Sequence, residues 1–264
     1  VQQWLDVREP NAAGPFQYLR GVGKTGTTND LPVLVQGSPY VTNGMSYIDF
    51  GVFGCGRWME WQNAASNRAP LASIRNVFLV FSSRESYGFL LGNHGGGTPD
   101  FHIANLTSAT NNPFWSTGDD LNELLSGRTY LDRQVIDGTK TWPKKSCQLL
   151  EIVTGLPCYA SNFCNDRNIY NGGVWRLGGG HFCEVLLYTN LLTEAERLQV
   201  QQYLWQKWLS PAQDVPAVTL SQGRTSTVAV ASASVQPLKL GGCGTVVKSG
   251  TGVLQPQVSS NAAF

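Results

Sequence analysis

LLTEAERLQVQQYLWQKW, residues 191–208, is the one emphatic helical pattern in a chain otherwise patterned as strands and glycine-rich turns. Thr193 followed three residues later by Glu196 spells a capping box, in which the hydroxyl serves the N3 amide and the carboxylate returns to the cap amide. Glu194 and Glu196 also put negative charge in the first turn, where the aligned peptide dipoles favour it. Val200, Tyr203, Leu204, Lys207 and Trp208 recur at helical spacing. Such a stripe has to dock on another surface, with the lysine laying its aliphatic stem along it and its ammonium in water. Ser210-Pro211 ends the run, because a proline ring does not continue a helix. A single docked helix in a strand-rich chain reads as a brace for a sheet rather than as a ligand site.

Working outward, strand-like runs recur at Gln3–Val7, Leu31–Val35, Tyr47–Phe53, Trp58–Trp61, Asn76–Phe81, Tyr87–Leu91, Arg128–Val135, Gln148–Val153 and Phe182–Tyr188, with Gly, Asn or Pro between almost every pair. That rhythm predicts an all-β antiparallel sandwich of two sheets rather than a βαβ alternation. Composition agrees: of 264 residues only 14% are charged and 29 are glycine, a balance that favours strands and turns over surface helices. Long polar connections at 93–122 and 155–180 are where a sandwich keeps its function.

After Pro211 the character changes. PAQDVP, residues 211–216, supplies a linker, and residues 217–264 are rich in Val, Ser, Thr and Gly, with Arg224, Lys239 and Lys248 as their only charges and no aromatic before Phe264. Short strands with turns, too few to bury a core alone, are expected there as a β-rich tail or the start of a β-solenoid. The predicted organisation is thus a sandwich over 1–210, a linker and this tail.

Three segments together resemble a known pattern: WLDV at Trp4–Val7, NGMSYIDFG at Asn43–Gly51, and FCEVLLYTNLLTEAERLQVQQYLWQKW at Phe182–Trp208. They are similar to the concanavalin A-like lectin/glucanase superfamily, specifically the bacterial LamG/pentraxin-type jelly-roll modules of secreted and surface proteins. In that family an E-V strand ending in Tyr leads through L-(T/S)-x-x-E-R into a helix ending Y-L-x-x-K-W. Glu184, Tyr188, Leu192, Thr193, Glu196, Arg197, Tyr203, Leu204, Lys207 and Trp208 occupy those places. SIRNVFLVFSSRESYGFLLGN resembles the family's inner strands and RTYLDRQVIDG its paired strand–turn–strand. The resemblance covers roughly residues 1–210 and implies a concanavalin A-like jelly roll with one C-terminal amphipathic helix. GTVVKSGTGVLQ in the tail resembles the glycine-rich passenger repeats of bacterial autotransporters, which build β-solenoids.

Charge excludes some partners. The 19 basic and 18 acidic residues nearly cancel, so nothing electrostatic points to nucleic acid or an anionic membrane. No run approaches the ~18 apolar residues of a membrane span. Val1 opens directly on strand-like sequence, as expected of a mature or excised segment lacking a signal peptide. Six cysteines, without C-x-x-C spacing and with three histidines, fit disulfides better than zinc and suggest an extracellular or cell-surface location. Buried reduced thiols are the competing reading. Cys158 and Cys164, which bracket CYASNFC, are the expected bridge; Cys55, Cys147, Cys183 and Cys243 leave three pairings open. Asn105-Leu106-Thr107 is a glycosylation triplet only in a eukaryotic host.

For chemistry, the β-glucan-cleaving members of the superfamily carry E-x-D-x-x-E on one strand face, because retaining hydrolysis needs two carboxylates about 5 Å apart. No such triplet exists here, and Glu151 and Glu184 lie on separate strands, so glycoside hydrolase is an alternative reading only. No G-x-S-x-G elbow or local triad signature appears, and His94, His102 and His181 are read as ordinary hydrogen-bonding residues. Ca²⁺ is the candidate cofactor: STGDDLNE gathers hard oxygen donors in Asp119, Asp120, Asn122 and Glu123, against the plainer reading of an acidic turn capping LNELL. Asp166 and Asn168 form a second such group.

Sugar binding on a sandwich needs an exposed aromatic for the pyranose face and amides or charges for hydroxyls. Trp115 with Asn111 and Asp119, and Trp175 with Asn171 and Arg176, meet that description, while Trp58, Trp61 and Trp142 serve equally by type; a core role competes for each. The expectation is a non-catalytic extracellular β-sandwich that binds glycan or a cell-surface partner. Its alternative of a different class is a structural subunit of a surface filament or array, self-assembled through strands in 217–264.

Overall fold

A computed structural model describes residues 3–5, 18–23, 31–35, 46–52, 57–62, 71–83, 88–92, 101–103, 113–115, 122–164, 179–210, 217–220, 222–223, 225–229, 235–242 and 245–258. The chain divides into two compact units, Val1–Ser210 and Pro211–Phe264. The first is mostly β, sandwich-like, with antiparallel sheets and one C-terminal helix.

Its strands are β1 (Gln3–Leu5), β2 (Tyr18–Gly23), β3 (Val33–Val35), β4 (Tyr47–Asp49), β5 (Arg57–Gln62), β6 (Leu71–Ser83), β7 (Gly88–Gly92), β8 (Phe101–Ile103), β9 (Arg128–Leu131), β10 (Gln134–Ile136), β11 (Gln148–Ala160), β12 (Asn162–Phe163) and β13 (Gly180–Tyr188). One sheet runs β1-β2-β5-β12-β7-β8 and the other, of seven strands, β10-β9-β11-β6-β13-β4-β3. Each of the nine strand-like runs contains a strand. Arg128–Val135 is broken into a hairpin, because Asp132 and Arg133 both adopt positive φ, 48° and 70°, as a tight turn between right-twisted strands requires. β2, β8 and β12 are additional: β8 falls inside the expected 93–122 connection, and β11 and β12 run into 155–180.

Strand alternation sends Val77, Leu79 and Phe81 of β6, with Leu150 and Ile152 of β11, into the main core, where they meet Met59, Trp61, Leu91 and Phe163 of the six-stranded sheet. Aromatic contacts knit this layer, with Phe163 4.7 Å from Trp61 and 6.2 Å from Phe182, ring centre to ring centre. A second cluster forms on the other face of the seven-stranded sheet, where Tyr47, Phe78, Val80 and Leu149 receive Leu204 and Trp208.

Those last two belong to the helix, α2 (Glu194–Leu204), whose final turn Trp205–Leu209 widens to π geometry; a short α1 (Asn122–Leu125) precedes it in the chain. Thr193 caps α2 with both bonds of the capping box present. Its buried face is Arg197, Gln201, Leu204 and Trp208, so half of it is polar, and Tyr203 from the expected stripe is 40% exposed. No helix among the described residues is long and apolar enough to cross a membrane.

In the second unit, β14 (Ala217–Leu220), β16 (Val235–Gly242) and β18 (Val253–Val258) form one sheet, and β15 (Thr225–Ala229) and β17 (Thr245–Ser249) another. All pairings here are parallel: Ala217 lies opposite Lys239, Val235 opposite Val253 and Thr225 opposite Thr245. Successive strands therefore alternate between two sheets, and each pairs with the strand two further along.

Candidate functional site

The residues singled out from the sequence fare differently. Trp115 is 3% exposed, packs tilted against Phe114 and donates its indole N–H to Thr129 Oγ1 at 2.8 Å. Its ring is core, and neither face is free for a sugar. Trp58 and Trp61 are likewise buried. Asn122 and Glu123 open α1, where the Asn122 carbonyl accepts from Ser126 N at 2.8 Å, so this part of the acidic stretch starts a helical turn. Asn111, Asp119, Asp120, Asp166, Asn168, Asn171, Trp175 and Arg176 lie outside the described residues. Among the described residues no three His, Cys, Asp or Glu side chains gather as a metal-binding group.

The expected Cys158–Cys164 bridge is not formed, although both cysteines are buried. Cys158 sits on β11 opposite Ile74, whereas the amide of Cys164 bonds to Leu90 of β7, so the two residues are held by different sheets. Burial, with the nearby Glu123 charge second, pushes the Cys158 thiol up to about 12.

Among the described tryptophans Trp142 is the exposed one. It is 47% exposed on the connection from β10 to β11, and the backbone around it is pinned. The Thr141 carbonyl accepts from Phe114 N at 2.8 Å, and the Lys144 carbonyl from Ser83 N at 3.0 Å. Gln148 closes the far side, its Oε1 accepting from Lys144 N and its Nε2 donating to Lys144 O, both at 2.9 Å. At the near end Trp115 N donates to Gly138 O at 3.0 Å, and Gly138 lies so close to the Trp115 ring that a Cβ there would sit 2.0 Å from it. Only glycine lets this loop lie down on the core tryptophan.

Polar groups surround Trp142 in the chain. Asp137 accepts from the Thr139 hydroxyl at 2.6 Å, the Thr139 amide at 3.0 Å and Lys140 Nζ at 3.0 Å. The Thr139 hydroxyl first, then Lys140, hold its carboxyl below the usual carboxylate range. Lys144 pairs with Asp132, whose other oxygen accepts from Leu149 N at 3.0 Å. An indole standing out of a fixed loop, with carboxylates, ammoniums and a hydroxyl close in sequence, is the arrangement that stacks on a flat apolar ring face and bonds its rim.

No family model, curated protein or solved structure matches the chain. Its chemistry is therefore read from its own side chains.

Glu151 and Glu184 both face the helix. Glu151, on β11 and 1% exposed, accepts from Arg197 Nε and Gln201 Nε2, and the Arg197 guanidinium also lies 4.2 Å from the centre of the Tyr130 ring. Glu184, on β13, accepts from Tyr203 Oη at 2.9 Å, Lys207 Nζ at 2.8 Å and Trp208 Nε1. Burial works against the Lys207 charge, but its bonds to Glu184 and Tyr203 outweigh that and hold its pKa above the ordinary lysine value. The two acids stand on separate strands, as expected, and each fastens one half of α2.

The tertiary fold also assembles a Ser–His–Asp chain that no local signature announced. Ser82 Oγ and His181 Nδ1 are 2.9 Å apart, and His181 Nε2 is 3.4 Å from Asp49 Oδ1. Ser82 is 2% exposed, so the hydroxyl meets no substrate. The chain links β6, β13 and β4 side by side, with Tyr47 edge-on to the imidazole at 4.9 Å.

Proposed function

We propose that residues 1–210 form a non-catalytic extracellular or cell-surface module that binds glycan or a cell-surface partner, built as a concanavalin A-like jelly roll of the LamG/pentraxin kind. The observation carrying this reading is Trp142, an exposed indole on a loop pinned at Thr141 and Lys144. Preorganisation matters because a platform that is already ordered loses little entropy on binding. A non-catalytic role is supported by the acids: Glu151 and Glu184, the pair a glycosidase reading would use, spend their oxygens on α2. Ca²⁺, if it takes part, is assigned to Asp119, Asp120, Asn122 and Glu123.

The test is a glycan array probed with the full chain and with Trp142→Ala, in calcium and in chelator. Specific binding that Trp142→Ala abolishes supports the reading. Binding that survives unchanged removes Trp142 as its basis, and loss in chelator alone moves the site to the acidic stretch.

A structural role is the second reading, and a separate observation favours it. Parallel pairing of strands two apart in 217–258 is the geometry of successive β-solenoid coils, and parallel edges accept further strands. Sizing the full chain against a truncation after Ser210 tests it: concentration-dependent assembly of the full chain alone is expected, and two monomers refute it.

A further inference from the structure

Cys147 and Cys183 stand apart from the other described cysteines. Their sulfurs are 3.9 Å apart, both side chains are half-buried, and both pack beside the cluster that receives Leu204 and Trp208. Cys147 immediately precedes Gln148, the first residue of β11, which lies opposite Phe81; Cys183 is the residue skipped where β13 steps from Phe182 opposite Phe81 to Glu184 opposite Val80. One cysteine precedes the ladder and the other is its bulge. Neither is fixed by regular pairing to β6, and a bulge is the place where a strand can lean.

We infer that Cys147 and Cys183 form a disulfide that joins the two strands flanking β6 beneath the end of the helix. The two sulfurs have to close by about 1.9 Å to reach the ~2.05 Å bond length, and because strands on either side of a third lie ~9.5 Å apart their backbones must lean inward as well; a bulge and a strand end are where such movement disturbs the fewest hydrogen bonds. The hydrogen bond from Cys183 holds the Cys147 pKa below that of an ordinary thiol, and the same bond, with burial, pushes Cys183 up. Either cysteine can supply the thiolate that displaces one thiolate from a small-molecule disulfide; the sulfur of the other then attacks it in the mixed disulfide and releases the second. Two protein S–H bonds are replaced by one S–S bond, and the external disulfide takes up two electrons and two protons as two thiols. The bond closes a loop of 36 residues, so it stabilises mainly by restricting the unfolded chain. It does not depend on what the module binds.

The full chain, purified reduced, is incubated with glutathione disulfide, alkylated under denaturing conditions and digested without reduction. Trypsin together with a glutamate-specific protease cuts after Lys145, Glu151, Arg176 and Glu184, separating Cys147 from Cys158 and Cys164. A linked pair of peptides carrying Cys147 and Cys183 is expected, with two fewer free thiols per chain. Oxidation should raise the melting temperature by about 5 °C. Cys147→Ser and Cys183→Ser should abolish that rise, and Cys158→Ser should keep it. Alkylation of both cysteines, a persistent glutathione adduct, or linkage of either to Cys55, Cys158, Cys164 or Cys243 overturns the inference. Peptide mapping of the unaltered chain decides it even if the variants fail to fold.

Discussion

On β6, Val77, Leu79 and Phe81 turn into the sandwich, whereas Phe78, Val80 and Ser82 turn toward the helix side. The inner face is largely apolar, with Thr129 as a polar exception that accepts from Trp115, and is closed by a second sheet. The outer face mixes apolar residues with the carboxylates of Glu151 and Glu184, and a single helix covers it. Hydrophobic burial is non-directional, so the inner face needs volume and shape. A buried carboxylate is directional and costly unless paired, so the outer face fixes where along the strands the helix sits. Two kinds of attachment thus hold the two sides of one sheet.

Mutations can break this contrast, and the largest effects are expected where burial is complete. Phe81→Ala should cost about 3–5 kcal/mol in chemical unfolding through a cavity. Glu151→Ala should cost a comparable ~3–5 kcal/mol for a different reason, the unpaired guanidinium of Arg197 left inside. The two are told apart by repair: Glu151→Leu with Arg197→Met should return stability to near the starting value, whereas no polar change elsewhere rescues Phe81→Ala. If Glu151→Ala alone is neutral, the outer face is held by apolar contact only.

Glu184→Ala should cost less, about 1–2 kcal/mol, because the donors it leaves are partly in water. Thr193→Ala should cost about 1 kcal/mol by removing the helix cap. That cap is also pH-dependent. The Thr193 hydroxyl, then its amide, hold the Glu196 carboxyl below its usual range, so this contribution is complete above the unfolded carboxylate value and is lost as pH falls through the lower folded one. Hydrogen exchange of the amides of Thr193 and Glu196, the two that the capping box holds, should therefore be slowed at neutral pH, with protection fading only in acid. Smallest in stability is Trp142→Ala, within about 0.5 kcal/mol for an exposed side chain, whatever it does to binding.

Local features were legible. The capping box, the stop at Pro211 and the nine strand-like runs depend on neighbours within a few residues, and the structure contains each element. β2, with two glycines, and β8 and β12, of three and two residues, escaped because so little sequence carries no period. The polar half of the helix's buried face escaped for another reason. Arg197 and Gln201 lie outside the stripe of Val200, Tyr203, Leu204, Lys207 and Trp208, and their burial follows only once Glu151, 46 residues earlier than Arg197, is folded beneath them.

The tryptophans show the same boundary at the candidate site. By its neighbours in sequence Trp115 is the better candidate and Trp142 its equal only by type, yet Trp115 lies under Gly138 in the core and Trp142 is half exposed. The strand-rich class, the capped helix and the change of character after Pro211 are written into local sequence, because propensity, capping and periodicity act over a few residues. Which of Trp115 and Trp142 is buried, which acids fasten the helix and which two thiols meet emerge only on folding, because they depend on what segments dozens of residues away bring alongside.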